Sequence, residues 1–133
     1  MEKIPAAAEK TRILPVSTSR LWSASARPVL STLPNVELLE TARGSLTAAQ
    51  VVRESQPHII IIDDSLPIEE SLLIITGIKQ EGIRVYCILM VSTTQMKENG
   101  YLAGADAVIF RTGSAHQLEQ AVITAQKRIS ANQ

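Results

Sequence analysis

The run Pro57-His58-Ile59-Ile60-Ile61-Ile62-Asp63-Asp64-Ser65-Leu66-Pro67 constrains the fold most. Four consecutive isoleucines lie between a proline on one side and an acidic, turn-forming group on the other. Successive strand side chains point to opposite faces, so an all-apolar strand must be covered on both. Such a strand belongs in the interior of a mostly parallel sheet flanked by helices. Isoleucine is β-branched, and the run is too short for a helix that begins and ends there. The strand is expected to stop at Asp63, which leaves two neighbouring carboxylates, Asp63 and Asp64, where strand gives way to loop. In open α/β sheets, ligands bind in the crevice outside the carboxyl ends of the strands. Asp63 and Asp64 are therefore the leading candidate site.

The rest of the chain supplies the layers that this strand requires. Residues 1–11 read as a flexible lead-in, and residues 12–133 as one domain. Arg12 to Val16 is a short strand followed by the hydroxyls Ser17, Thr18 and Ser19. Pro15 sits awkwardly in it, because proline removes a ladder donor. Ser19 can cap a helix running to Leu33, with Leu21, Trp22, Val29, Leu30 and Leu33 on its apolar face. Pro28 should break or kink that helix. Val36 to Ala42 reads as a strand. Ser45 or Thr47 then caps a helix to about Ser55 that carries Leu46, Ala49 and Val52. Pro67 opens a helix from about Glu69 to Glu81, striped by Leu72, Ile75, Ile78 and Leu73 and closed by Gly82. Ile83 to Val91 is a second buried strand, ending at Ser92 and Thr93. A short helix over Gln95 to Ala103 precedes a last strand, Ala107 to Phe110, which ends at Arg111. Thr112-Gly113-Ser114 caps a final helix striped by Leu118, Ala121, Val122, Ala125 and Ile129. Five strands alternating with five helices through short connections imply right-handed βαβ units and a doubly wound, five-stranded parallel α/β sheet.

Composition narrows the function classes. The 133 residues suffice for one ordinary domain. Thirteen basic and thirteen acidic side chains cancel, so no basic surplus exists to attract nucleic acid or an anionic membrane. Aromatic residues are 3% of the chain, too few for a base-stacking surface. The single cysteine, Cys87, excludes an internal disulfide and a multi-cysteine zinc site, and it sits in an apolar run as a small buried hydrophobe. No apolar run has a membrane-spanning length, and no signal-peptide core opens the sequence, so a cytoplasmic location is the default expectation. His58 and His116 lie at opposite ends of their elements, which argues against a shared metal site.

At the predicted strand ends stand Ser17 and Thr18, Asp63 with Asp64 and Ser65, Ser92 and Thr93, and Arg111. A carboxylate, a hydroxyl and a cation converging at one edge can stabilise a phosphoryl group or another anion. Three stretches carry a family resemblance: Pro57 to Asp63 with Pro67 four residues on, Ile88 to Ser92, and Gly104-Ala105-Asp106-Ala107-Val108-Ile109-Phe110-Arg111, followed by the Leu118 to Val122 helix. Over roughly residues 12 to 130 the chain resembles a response-regulator receiver domain, in particular the receivers that precede helix-turn-helix outputs. The resemblance implies the flavodoxin-like, CheY-like fold with strand order 2-1-3-4-5. It makes Asp63 the phosphoacceptor position, Ser92 the hydroxyl that turns toward a phosphoryl group, and position 111 the place of a lysine. It also implies Mg²⁺ held by an acidic pair after the first strand.

The sequence departs from that pattern in three places. Ser17 and Thr18 replace the acidic pair, Arg111 replaces the lysine, and the Ser92 to Gly104 segment is about three residues short, which should stunt the fourth helix. Mg²⁺ takes near-octahedral oxygen ligands and usually one or two carboxylates. Asp64 is expected to point to the opposite face from Asp63 and not to help. Mg²⁺ binding is therefore expected to be weak or absent, no cofactor is implied, and a direct Arg111–Asp63 ion pair is expected to lock the site. The leading expectation is a pseudo-receiver, not an enzyme, that regulates through protein–protein contacts as part of a longer two-component regulator, with a homodimer possible. The alternatives are a functional receiver phosphorylated on Asp63 by a histidine kinase, and a small-molecule-binding α/β module.

Overall fold

The computed structural model describes residues 10–112 and 115–131. The elements alternate as β1 (Thr11–Val16), α1 (Arg20–Ser31), β2 (Val36–Leu38), α2 (Ser45–Ser55), β3 (Ile59–Ile62), α3 (Ile68–Gln80), β4 (Tyr86–Val91), α4 (Thr94–Ala103), β5 (Ala107–Phe110) and α5 (Ala115–Ala131). The five strands are all parallel, in the order β2-β1-β3-β4-β5. This is the doubly wound α/β sheet that the alternation of elements implies, in the strand order that the resemblance implies.

The isoleucine run is the central strand, and all four of its side chains are completely buried. Ile60 and Ile62 pack with Leu14, Val16, Leu89 and Val91 beneath α2, α3 and α4. Ile59 and Ile61 pack with Ile13, Ile88 and Met90 beneath α1 and α5. Each buried isoleucine contributes roughly 1.5–3 kcal/mol relative to exposure, so this one strand anchors both layers.

Pro15 is accommodated because of where its ladder bonds point. Val16 O accepts from Asp63 N on the β3 side, whereas Pro15 O accepts from Ala42 N on the other side. The nitrogen of Pro15 faces that second side as well, where β2 has already ended at Leu38, so the β1–β3 ladder loses no donor. For the same reason β2 is shorter than the predicted Val36–Ala42, with only an isolated bridge between Val16 and Ala42 beyond it. Pro28 does not break α1. The carbonyl left without a donor is that of Ala24, which lies on an exposed turn where water can serve it.

Ser19 caps α1 as expected, its side chain accepting from Trp22 N. The cap of α2 differs from expectation. Gly44 occupies the N-cap without a side-chain bond, and Glu70 of α3 reaches across to accept from Ser45 N at 3.0 Å. Three residues expected on apolar stripes are instead exposed: Leu21, Leu46 and Leu73. Their places are taken by Ser23 and Ala26, by Ala48, and by Ser71 and Ile74. The strand expected over Ile83–Val91 begins only at Tyr86. The fourth helix is the shortest of the five at ten residues, capped by Thr93 and closed by Gly104 at φ 113°. Of the proposed cap of α5, Gly113 and Ser114 lie outside the described residues, as do residues 1–9 of the lead-in.

Candidate functional site

β1 and β3 carry Ser17 and Asp63 to the same edge of the sheet. The backbone bond from Asp63 N to Val16 O (2.9 Å) and that from Ser17 N to Ala42 O (3.0 Å) extend the ladder just past both strand ends. Both side chains are buried, Asp63 with 2% of its surface exposed and Ser17 with none. Ser17 Oγ donates to Asp63 Oδ2 at 2.8 Å. The same hydroxyl accepts from Ser19 N at 2.9 Å and lies 3.1 Å from Ser65 Oγ. Ser65 closes the knot: its amide donates to Asp63 Oδ2 at 3.3 Å and its hydroxyl accepts from Thr18 N at 2.9 Å. Thr18 Oγ1 donates to Ser65 O at 3.4 Å. The loops after β1 and β3 are thus stitched together through one carboxylate oxygen and three hydroxyls. The other oxygen, Asp63 Oδ1, is buried without a hydrogen-bond partner among the described residues. A buried unpaired carboxylate oxygen is costly, and here the surrounding knot must offset that cost.

Arg111 does not pair with Asp63. Its Nε lies 3.6 Å from Asp64 Oδ1, which corrects the ion pair expected from the sequence. The alternation that should have turned Asp64 away holds only within a strand, and β3 ends at Ile62, before either aspartate. In the turn that follows, Asp64 stays beside Asp63 and is largely shielded, its side chain 14% exposed. Burial pushes the Asp64 carboxyl above its ordinary range, and the charge of Asp63 pushes it further. Arg111 pulls the other way. Arg111 itself is 65% exposed, so its single contact is a screened surface pair.

The remaining candidates stand apart from this knot. Thr93 is a helix cap, its hydroxyl accepting from Met96 N at 3.1 Å. Ser92 is exposed, and its hydroxyl is directed to Met96 Sδ at 3.5 Å. His58 receives the Arg12 amide on Nδ1, and His116 is exposed on α5. Cys87 is buried and its thiol pushed up to about 12, which leaves it inert at neutral pH. Sequence reasoning placed Ser65 at the site but missed its part as the bridge to Thr18. The only sequence signal was its position two residues after Asp63, where a side chain and the carboxylate meet across a tight turn.

The fit of this edge to Mg²⁺ is poor. Asp63 Oδ2 already takes two hydrogen bonds, one of them from the neutral Ser17 hydroxyl, which leaves the buried Oδ1 as the one unengaged carboxylate oxygen of Asp63, where Mg²⁺ usually takes one or two carboxylates. Asp64 is set against Arg111. Among the described residues, no group of three or more histidine, cysteine or carboxylate side chains could hold a metal.

No protein-family profile matches the sequence, and no curated protein is detectably similar to it. Solved structures do match. The signal receiver domain assigned to a LuxO repressor protein from Vibrio parahaemolyticus superposes with a TM-score of 0.80 at 21% identity, over 92% of this chain and 95% of that one. The receiver domain of Francisella response regulator 1452 gives 0.80 at 16% identity, over 90% and 99%. The isolated receiver domain of RcsB from Salmonella enterica, solved with the phosphomimetic BeF₃⁻, gives 0.79 at 14% identity, over 90% of each chain. The chain therefore has the receiver-domain fold of response regulators.

Proposed function

We propose that the chain is a pseudo-receiver: a signalling module of receiver fold that acts through protein contacts, without Mg²⁺-dependent phosphorylation of Asp63. One observation carries this reading. The carboxylate at the phosphoacceptor position is buried and hydrogen-bonded to the neutral Ser17 hydroxyl, so it is held as part of the framework. Phosphoryl transfer to a carboxylate needs an accessible oxygen and a counter-charge for the phosphoryl oxygens. Asp63 Oδ2 is engaged by two hydrogen bonds, Oδ1 is buried though without a partner among the described residues, and Arg111 is turned to Asp64. On this reading the domain is not an enzyme. It works in the cytoplasm, and its partner is a protein: an output domain, another regulator or a second copy of itself. Tyr101 and Leu102 of α4 are exposed beside β5, with Lys97 over the Phe110 ring at 5.6 Å, and they offer the partner a mixed apolar and basic face. No helix among the described residues is long and apolar enough to cross a membrane.

The test is a titration with Mg²⁺ and then beryllofluoride, followed through the backbone amides by NMR. The Asp63 and Ser65 amides should not shift in a saturable way with either. Localised shifts saturating at low millimolar Mg²⁺, followed by a beryllofluoride-dependent change spreading to β4 and β5, would establish the functional phosphoacceptor instead.

A further inference from the structure

A cleft of about 460 Å³ opens at the edge of the sheet opposite Asp63, where the strands begin. That volume is within the roughly 300–1,000 Å³ common to small-molecule sites. Tyr86, the first residue of β4, lies in its wall, and Asp106 just before β5 lies beside it. Lys79 comes from the last turn of α3, Arg128 from the last turn of α5, and Arg84 from the loop before β4. The one carboxylate is already committed. Asp106 Oδ2 accepts from Cys87 N at 2.8 Å and from Lys79 Nζ at 3.2 Å. Arg84 and Arg128 have no ion-pair partner among the described residues, so the cleft carries uncompensated positive charge. Cations in the last turn of a helix are favoured by its dipole, which accounts for Lys79 and Arg128 taken singly. It does not account for Arg84, which is not on a helix, or for the convergence of all three on one concavity.

The lining also has a recognisable chemistry. Guanidinium groups present planar forks of N–H donors that match phosphate oxygens in pairs. The phenol of Tyr86 is half-buried, and burial raises its pKa, so at neutral pH it keeps its proton as a donor. Its ring and the side chain of Ile129 add flat and apolar surface to the same cleft. The geometry points to a binding site in this cleft for a small phosphorylated molecule with a flat ring, of the nucleoside monophosphate class. The two arginines take the phosphoryl group and Tyr86 takes the ring. The site is remote from the Asp63 edge and independent of whether Asp63 is ever modified.

AMP, adenosine and inorganic phosphate, each titrated into the full chain and read by amide NMR, test it. AMP should shift the amides from Arg84 to Cys87 and that of Asp106 saturably, at roughly millimolar affinity. Adenosine and phosphate, each carrying half of the chemistry, should bind at least about tenfold more weakly. The exposed arginines can be changed without disturbing the core, and the Arg84→Gln/Arg128→Gln variant should weaken AMP by about tenfold or more. Absence of saturable AMP shifts, shifts confined to the Asp63 edge, or equal AMP affinity in the double variant would overturn the site. Adenosine binding as well as AMP would overturn the phosphoryl assignment, and phosphate binding as well as AMP would overturn that of the ring.

Discussion

Replacing Ser17 by alanine tests the idea that its hydroxyl holds the site together. The side chain is completely buried, so water cannot readily fill its place. The substitution removes the 2.8 Å bond to Asp63 Oδ2 and the acceptor for Ser19 N. A hydrogen bond to a charged group contributes about 1.5–3 kcal/mol, and the orphaned amide adds roughly 1 kcal/mol where water cannot reach it. The carboxylate would keep only the longer bond from Ser65 N, with its other oxygen already unpartnered. Ser17→Ala should therefore destabilise by about 2–4 kcal/mol, measured by urea unfolding. In an Asp63→Asn background the Ser17 hydroxyl can still donate, now to a neutral amide oxygen, a bond about half as strong. There the same substitution should cost about 2–2.5 kcal/mol, the orphaned Ser19 amide included, giving a coupling energy on the order of 1 kcal/mol. A cost below about 0.5 kcal/mol, or one that is equal in the two backgrounds, would mean that Ser17 does not hold the carboxylate.

Two further outcomes follow from the same structure. The Asp64 carboxyl, raised by burial and by Asp63, binds its proton more tightly in the folded protein than in the unfolded chain. Stability should then fall as pH rises through the window from the unfolded value to the raised folded one, and stay lower above it. Asp64→Asn should remove that fall and stabilise the protein at neutral pH. Parallel stability–pH curves for the two proteins would contradict the shift. At Gly100 an added Cβ would meet Leu89 Cδ2 at 2.6 Å and Val108 Cγ2 at 3.4 Å, where α4 crosses β4 and β5. Gly100→Ala should accordingly cost about 1–3 kcal/mol in thermal or urea unfolding despite the better helix propensity of alanine, and a stabilised variant would show that α4 packs less closely.

The isoleucine run carried most of the fold because its message does not depend on distant residues. An apolar side chain on each face of one strand requires a layer on each side, and both layers are present. Helix stripes were less legible. Leu21, Leu46 and Leu73 fit an apolar period, yet which neighbouring positions face the sheet is fixed by how the helices dock, and the smaller Ala26 and Ala48 took the buried places. The cap of α2 comes from Glu70, twenty-five residues away, and no local pattern announces it. The cationic cleft was invisible for the same reason, since Lys79, Arg84 and Arg128 meet only in the folded chain.

At the site itself, residue types were legible and partners were not. The absence of an acidic pair at Ser17 and Thr18 was plain, but alternation does not reach Asp64, two residues past the end of β3, and so could not predict that Arg111 pairs with Asp64 and not with Asp63. The structure resolves this by charge as much as by geometry. Asp63 has 2% of its surface exposed, whereas the Arg111 side chain is 65% exposed and meets Asp64, so a direct pair would need one of the two to change its burial. Pulling the arginine inward would strip its hydration, and pushing the aspartate outward would break the three-hydroxyl knot. A neutral hydroxyl can enter the buried space where a cation cannot. The hydrogen bond from Ser17 thus meets the demand for a donor locally, while Arg111 is left to balance the outer carboxyl of Asp64. On the proposed reading, this division turns a site of transient charge into a fixed joint between the loops after β1 and β3. Any signal then has to enter through a surface other than the Asp63 edge.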